Sequence, residues 1–435
     1  VDLALMCRLF DAIPMSAQVI LIGDRDQLAS VEAGGVLSDL CGNLAGDTFD
    51  RLSEERRKII SKRTGLMGAD ESSDTASLKF AETPVKKKAT RRKKKTHPQQ
   101  LALSFGNEWD SSDDSQKPVV RGDSESGAET NGESMANSTA LSGSLTESVA
   151  SLNYSHRFSA ESSLGQLAAA IRDGRADDAV ALLRDTNSAE IQWLDGSSNG
   201  SSPVDLAVEQ AAAGYREYLE PLRQSPSGAA EILKLAAQTR VLTAHRSGLR
   251  GEATLNQRIA DRLTADGLLS PYAGDSLGRL MMVSRNDYRL DLFNGDVGGG
   301  AKADDESPSS NGGGRGRVII FEDASEESGV RRVPASLVPG VQDCFAMTIH
   351  RSQGSEFRQL LLVLPEHDSP VLSRELLYTA VTRVKESRDP ASGQSLPGFL
   401  CIVGSGSVLR GAIARCVHRV SGLREEVEAR ARSTV

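Results

Sequence analysis

Aromatic residues make up only 4% of this 435-residue sequence, which excludes a binding surface built from a long row of stacked rings. The five cysteines, Cys7, Cys41, Cys344, Cys401 and Cys416, fit no metal-ligand spacing. They suit a reducing compartment, with the cytoplasm as the expected location and small buried side chains as the default role. No run approaches the ~20 apolar residues that a membrane-spanning helix needs. The pattern Gly-x-x-x-x-Gly-Lys-Ser/Thr, whose backbone cradles phosphates and whose hydroxyl helps hold magnesium, is also missing. Glycine-rich stretches at 298–300 and 312–316 lead into no Lys-Ser/Thr, and no Asp-Glu pair follows a buried strand. Clustered carboxylates of the kind that hold two catalytic metals are lacking too. There is no excess of positive charge, the net charge being −8. That value is neutral on a nucleic-acid partner, because binding in a local groove does not depend on the mean charge.

The remaining 39% apolar content is adequate for packed cores once one polar stretch is set aside. From about 59 to 149 the chain is rich in Ser, Gly, Asp, Glu, Thr and Lys, a composition that cannot bury enough apolar surface to offset chain entropy. It reads as a disordered insert with one dense basic block, at 86–88 and 91–95. Such a block adds sequence-independent nucleic-acid affinity through counterion release, although a solvated linker with no partner is the plainer expectation.

The ordered parts alternate. An amphipathic start, a strand at 19–23 and a helix at 36–40 form the end of an α/β unit. After the insert come helices at 164–172, 176–184, 204–222 and 229–237. Strands at 240–243, 280–284, 345–349, 359–364 and 399–403 then alternate with helices at 249–263, 372–381 and 409–420, which predicts a mostly parallel sheet. Residues 293–343 differ, with short strands, turn signals and no helix, and predict a small β insertion.

Two segments carry the chemistry. FAMTIHRSQGSEF at 345–357 is a short apolar strand feeding a polar loop built around Gly354, and YTAVTR at 378–383 is a helix presenting Arg383. Each alone reads as a surface turn or a surface arginine. Together they resemble motifs V and VI of superfamily 1 helicases of the RecD type, the alpha subunit of exodeoxyribonuclease V. Further matches occur in order. VILIGDRDQL at 19–28, continuing through ASVEAG to 34, resembles motif III, and YSHRF at 154–158 resembles motif IV. VLTAH at 241–245 with LNQR at 255–258, and MVSRNDYRLDLFNGDV at 282–297, resemble the segments that precede motif V.

The resemblance implies a tandem RecA-like motor of the P-loop NTPase fold with a small SH3-like β insertion. Residues 1–58 would be the end of an incomplete first motor domain, 150–292 and 344–435 the second, and 293–343 the insertion. It implies an ATP- and Mg2+-dependent DNA helicase of 5′-to-3′ polarity, acting in double-strand break repair and recombination with beta and gamma subunits. The chain would then be the C-terminal part of a longer protein, cut just past motif II and inactive alone. Arg157 and Arg383 match the arginines that reach the γ-phosphate, and Gln27 the glutamine that senses it, with Asp24 orienting the same loop. Gly354 and Glu356 match the motif V loop, the glutamate accepting from a ribose hydroxyl. Thr348, His350 and Arg351 match contacts to the single-stranded DNA backbone, although Arg351 stands where lysine is common. Tyr288 and Phe293 are the candidate stacking rings, Phe293 more readily a core residue. A stand-alone RecD2-like or relaxase-type helicase, and a non-catalytic DNA-binding scaffold built on the motor fold, are the alternative readings.

Overall fold

The computed structural model describes residues 3–14, 16–17, 19–28, 36–41, 157–185, 187–196, 202–224, 229–272, 274–302, 316–323, 325–326, 328–338, 340–388 and 395–417. The expected insert at 59–149 lies outside the described residues.

The centre is a five-stranded sheet of β1 (Ile191–Leu194), β2 (Thr239–Thr243), β8 (Ala346–Thr348), β9 (Gln359–Val363) and β12 (Phe399–Val403). Their order is β1-β12-β9-β2-β8, and every pairing is parallel. Successive side chains of a strand face opposite ways, so a strand buried on both faces is apolar throughout. In β9, Leu360 and Leu362 enter one core while Leu361 and Val363 enter the other. Helices α3 (Ser163–Arg172), α4 (Ala176–Arg184), α8 (Arg374–Val381) and α9 (Gly406–Ala414) cover the first face; α5 (Pro203–Gln224) and α7 (Glu252–Ala265) cover the second, together with the end of α6 (Ala229–Ala236). Side-chain caps set three of these starts: Ser162, Ser373 and Ser405 each accept from a backbone amide in the first turn of α3, α8 and α9.

The outer edge of β8 is closed by one side chain. Asn256 in α7 donates from Nδ2 to the Ala346 carbonyl at 2.8 Å and accepts from the Ala346 amide at 2.9 Å. The amide group thus replaces the next strand and satisfies backbone groups that would otherwise be buried unpaired.

A second, antiparallel sheet holds β3 (Leu280–Val283), β4 (Val297–Lys302), β5 (Arg317–Glu322), β6 (Val330–Pro334) and β7 (Val341–Asp343), in the order β6-β5-β4-β3-β7. β7 runs into β8 through Cys344 and Phe345 alone, so the two sheets are directly joined. A short hairpin pairs β10 (387–388) with β11 (395–396).

Three sequence expectations are corrected. The 280–284 strand belongs to the antiparallel sheet, its pairing decided by Val341–Asp343 rather than by its apolar run. Ile191–Leu194 was not expected as a strand, because IQWL carries no period; its partner β12 makes it one. Residues 19–23 are not a strand here: they run as irregular backbone, with Ile20 73% and Ile22 91% exposed. A β-strand needs a ladder partner, and none of the described residues supplies one. The flanking helices α1 (Leu3–Ala12) and α2 (Val36–Cys41) pack on each other through Met6 and Val36.

Candidate functional site

Ligands of open α/β sheets bind beyond the carboxyl ends of the strands, and the expected site residues gather at that end of β8. Thr348 ends β8 and is buried. The chain then makes a 3-10 turn over Ile349–Ser352, which carries His350 and Arg351, half-buried, into the loop. Gly354 follows with φ of +86° and open space around the position of a Cβ. This is a conformation that L side chains resist, which is the physical reason for glycine at the bend. Beyond it Phe357 bridges Val384 in parallel fashion, its amide donating to the Arg383 carbonyl at 2.8 Å while the Lys385 amide donates back to the Phe357 carbonyl at 2.9 Å. The two motif-bearing segments are therefore tied through their backbones.

Arg383 is not free at the surface, as a helix-borne arginine was expected to be; it is 3% exposed. Its Nε donates to the Thr379 carbonyl at 3.2 Å, Nη1 to the Ser355 carbonyl at 3.3 Å, and Nη2 to Oε1 of Gln27 at 2.7 Å. Gln27 in turn donates from Nε2 to Asp24 Oδ2 at 2.8 Å, and the Asp26 amide donates to Asp24 Oδ1 at 3.0 Å. A chain of hydrogen bonds thus runs Asp24, Gln27, Arg383. Thr379, absent from the expected set, anchors the same segment by accepting from the Leu28 amide at 2.9 Å. Thr379 lies in the last turn of α8, and Arg383, two residues past the end of the helix, folds back to donate to its carbonyl.

Residues 154–156 of its motif lie outside the described residues; Arg157 follows them, and the adjacent Phe158 packs on the first core. It donates from Nε to Glu356 Oε1 at 2.7 Å, and Lys385 Nζ lies 3.0 Å from Glu356 Oε2. Glu356, expected to accept from a ribose hydroxyl, is engaged by these two cations in this structure. Lys385 is the cation that sequence reasoning missed; its only signal was nearness to Arg383.

Arg351 donates from Nη1 to Glu252 Oε1 at 2.7 Å. Tyr288 is 62% exposed with Phe293 edge-on against it, ring centroids 6.1 Å apart.

Burial lowers the Arg383 pKa from its ordinary value, with the neighbouring Arg157 charge acting the same way, so two guanidinium groups share one electrostatic environment. Burial alone would raise Glu356, but hydrogen bonds from Arg157 and Lys385 outweigh it and hold the carboxyl below its usual range. The Tyr378 hydroxyl is pushed up to about 12, first by burial and then by Asp24. The buried Arg383 and the partly exposed Arg157, whose charges act on each other, suit an anion with several oxygens, which would relieve that repulsion by bidentate contacts.

Sequence comparison agrees with this geometry. A UvrD-like helicase C-terminal domain model matches residues 343–387, the span from β8 through Arg383, and an AAA domain model matches 1–85. The RecBCD enzyme subunit RecD of Mycobacterium tuberculosis is 30% identical over 98% of this chain and 52% of its own length. The chain is thus similar to the RecD-type helicases. The Haemophilus influenzae RecBCD subunit RecD is 26% identical over 98% of this chain and 53% of its own length. The ATP-dependent RecD2 DNA helicase of Deinococcus radiodurans is 32% identical over 43% of this chain and 21% of its own length. The chain spans about half the length of the RecD subunits it matches most fully.

Proposed function

We propose that this RecD-type chain supplies the second motor half of an ATP-dependent DNA helicase subunit, the alpha subunit of exodeoxyribonuclease V. It would move 5′ to 3′ in double-strand break repair and recombination, in the cytoplasm, with beta and gamma subunits as partners. The domain assignment follows: 1–58 as the end of the first motor domain, 150–292 and 344–435 as the second, and 293–343 as an SH3-like subdomain. The observation that carries the reading is the hydrogen bond from Arg383 to Gln27, which links the last motif to the third within one hydrogen-bonded network.

In this reading Arg383 and Arg157 neutralise charge developing on the transferred phosphoryl group, the task for which planar guanidinium is suited. Gln27 reports the state of that phosphate to Arg383, with Asp24 fixing its amide. Arg157 exchanges its hold on Glu356 for phosphate oxygens, freeing the carboxylate for a ribose hydroxyl beside Gly354. Thr348, His350 and Arg351 lie along one loop and serve the DNA backbone. ATP fits the charge of Arg157, Arg383 and Lys385. Mg2+ would accompany the nucleotide; no group of three His, Cys, Asp or Glu among the described residues could hold a metal, and none of these steps depends on one.

The test is DNA-stimulated ATP hydrolysis by a longer gene product that contains this chain together with a phosphate-binding loop. Activity lost by at least about 100-fold in both Arg157→Ala and Arg383→Ala is expected, the scale seen when an arginine at a transferring phosphoryl group is removed. Activity unchanged in either variant overturns its role. Absence of ATPase in the parent, with beta and gamma subunits added, would favour the scaffold. The similarity to a RecD2 helicase supports a stand-alone helicase as the second reading, distinguished by unwinding without the other subunits.

A further inference from the structure

Arg351 and Glu252 come from different parts of the second motor unit and meet at its DNA-facing loop. Glu252 opens α7, which follows β2 after the loop at 244–251, and its side chain is only 9% exposed. Its Oε1 accepts from Arg351 Nη1 at 2.7 Å and from Gln342 Nε2 at 3.4 Å; its Oε2 is buried with no hydrogen-bond partner. A carboxylate oxygen buried without a donor is costly unless something offsets it. The first turn of α7 contributes, since backbone amides and the helix dipole favour negative charge there. The remaining offset is the Arg351 cation, so the two residues are electrostatically interdependent.

Glu252 therefore occupies the position on Arg351 that a phosphate oxygen would take: a hard anionic acceptor in line with Nη1. We propose that Glu252 is an internal stand-in for a DNA phosphate, competing with single-stranded nucleic acid for Arg351. The inference rests on the reading of Arg351 as a DNA-backbone contact. When a phosphate arrives, it must share or displace the carboxylate, so the contact forms at less gain and breaks more readily. A motor that steps along DNA has to release each backbone contact repeatedly, and a resident competitor makes that release fast. Gln342, in β7, ties the same carboxylate to the antiparallel sheet, so displacement of Arg351 from Glu252 is felt at the junction between the two sheets. Glu252 is thus a positioning residue: it acts on DNA only through Arg351.

The experiment is equilibrium binding of a fluorescein-labelled oligo-dT to the full chain, by anisotropy across a salt series, for the parent, Glu252→Gln, Arg351→Gln and the double variant. Glutamine keeps the acceptor and the shape but removes the charge. The expected result is tighter binding by Glu252→Gln, by several-fold at low salt, with a steeper dependence of log K on log salt by about 0.7, the value for one added phosphate contact on a single strand. Arg351→Gln should weaken binding and flatten the slope, and in the double variant Glu252→Gln should add nothing. Binding by Glu252→Gln that is unchanged or weaker, while Arg351→Gln still weakens it, overturns the competitor proposal and leaves the DNA reading of Arg351 intact. If Arg351→Gln itself changes nothing, the DNA reading of Arg351 fails. Unchanged circular dichroism and thermal midpoint of the variants keep a folding defect from passing for either result. Tighter binding by Glu252→Gln that persists in the double variant marks a general charge effect and likewise overturns the proposal.

Discussion

Arg383 donates from Nη2 to Oε1 of Gln27 at 2.7 Å across a sequence separation of 356 residues. The bond joins the irregular segment at 24–28 to the end of α8, and the Leu28 amide on Thr379 Oγ1 reinforces it one residue later.

Gln27→Ala should leave a buried guanidinium nitrogen without its acceptor. The cost is about 1–3 kcal/mol, the usual penalty for such a group. Amide hydrogen exchange at 24–28 should rise with it, because the segment loses one of its anchors. Exchange at 24–28 equal to the parent would show that the Leu28 contact alone holds it. Thr379→Val tests that second anchor in the same measurement.

Gly354→Ala isolates a backbone effect. A Cβ there meets nothing within 4 Å, so only the φ of +86° opposes the change. Destabilisation of about 1–2 kcal/mol is expected in denaturant unfolding, the cost of the left-handed region for a residue with a Cβ. A neutral result would mean that the loop relaxes out of this conformation at no cost.

Asn256→Ala should expose the edge of β8 by removing both hydrogen bonds to Ala346, with Asn256 itself only 7% exposed. A loss of about 2–5 kcal/mol is expected for two unsatisfied buried backbone groups. Asn256→Asp keeps the acceptor and loses the donor, so it should fall between the two. Equal stability of the three proteins would show that water satisfies Ala346.

Asp275 gives a pH dependence. Arg317 holds it by two hydrogen bonds, from Nε to Oδ1 at 2.7 Å and from Nη2 to Oδ2 at 3.0 Å. Principally through this partner, its pKa falls from 3.8 to about 2. A carboxyl with a depressed folded-state pKa stabilises above its unfolded value and loses that contribution as pH falls through the folded one. Stability should therefore decline between pH 3.8 and about 2. Asp275→Asn should remove this part of the decline; an identical acid profile in the variant would assign the loss to other groups.

The motif-bearing strands and helices were legible because their cause is local. β9 and β12 are continuous apolar runs, the signature of strands buried on both faces, and Ser373 three residues before Leu376 marks the start of α8. Gly354 was legible too, since a polar loop after a buried strand needs one residue tolerant of positive φ. Gln27, Arg157, Glu356 and Arg383 were named from the resemblance to helicase motifs, and the structure brings Gln27 to Arg383 and Arg157 to Glu356.

What the sequence could not yield depends on partners distant in the chain. Residues 19–23 have strand composition, yet hydrogen bonding to a neighbouring strand decides whether a strand forms, and the described residues provide no such neighbour. The 280–283 run has the same apolar character as a parallel strand, and only its pairing with β4 and with Val341–Asp343 makes it antiparallel. The meeting of Glu252 with Arg351 and of Lys385 with Glu356 has no local pattern at all. Composition and periodicity therefore determined most of the elements, because those follow from side-chain burial and backbone preference, and the resemblance to RecD-type helicases named the candidate site residues. The tertiary structure alone decided which charges face one another, because a salt bridge is set by distance in space and not along the chain.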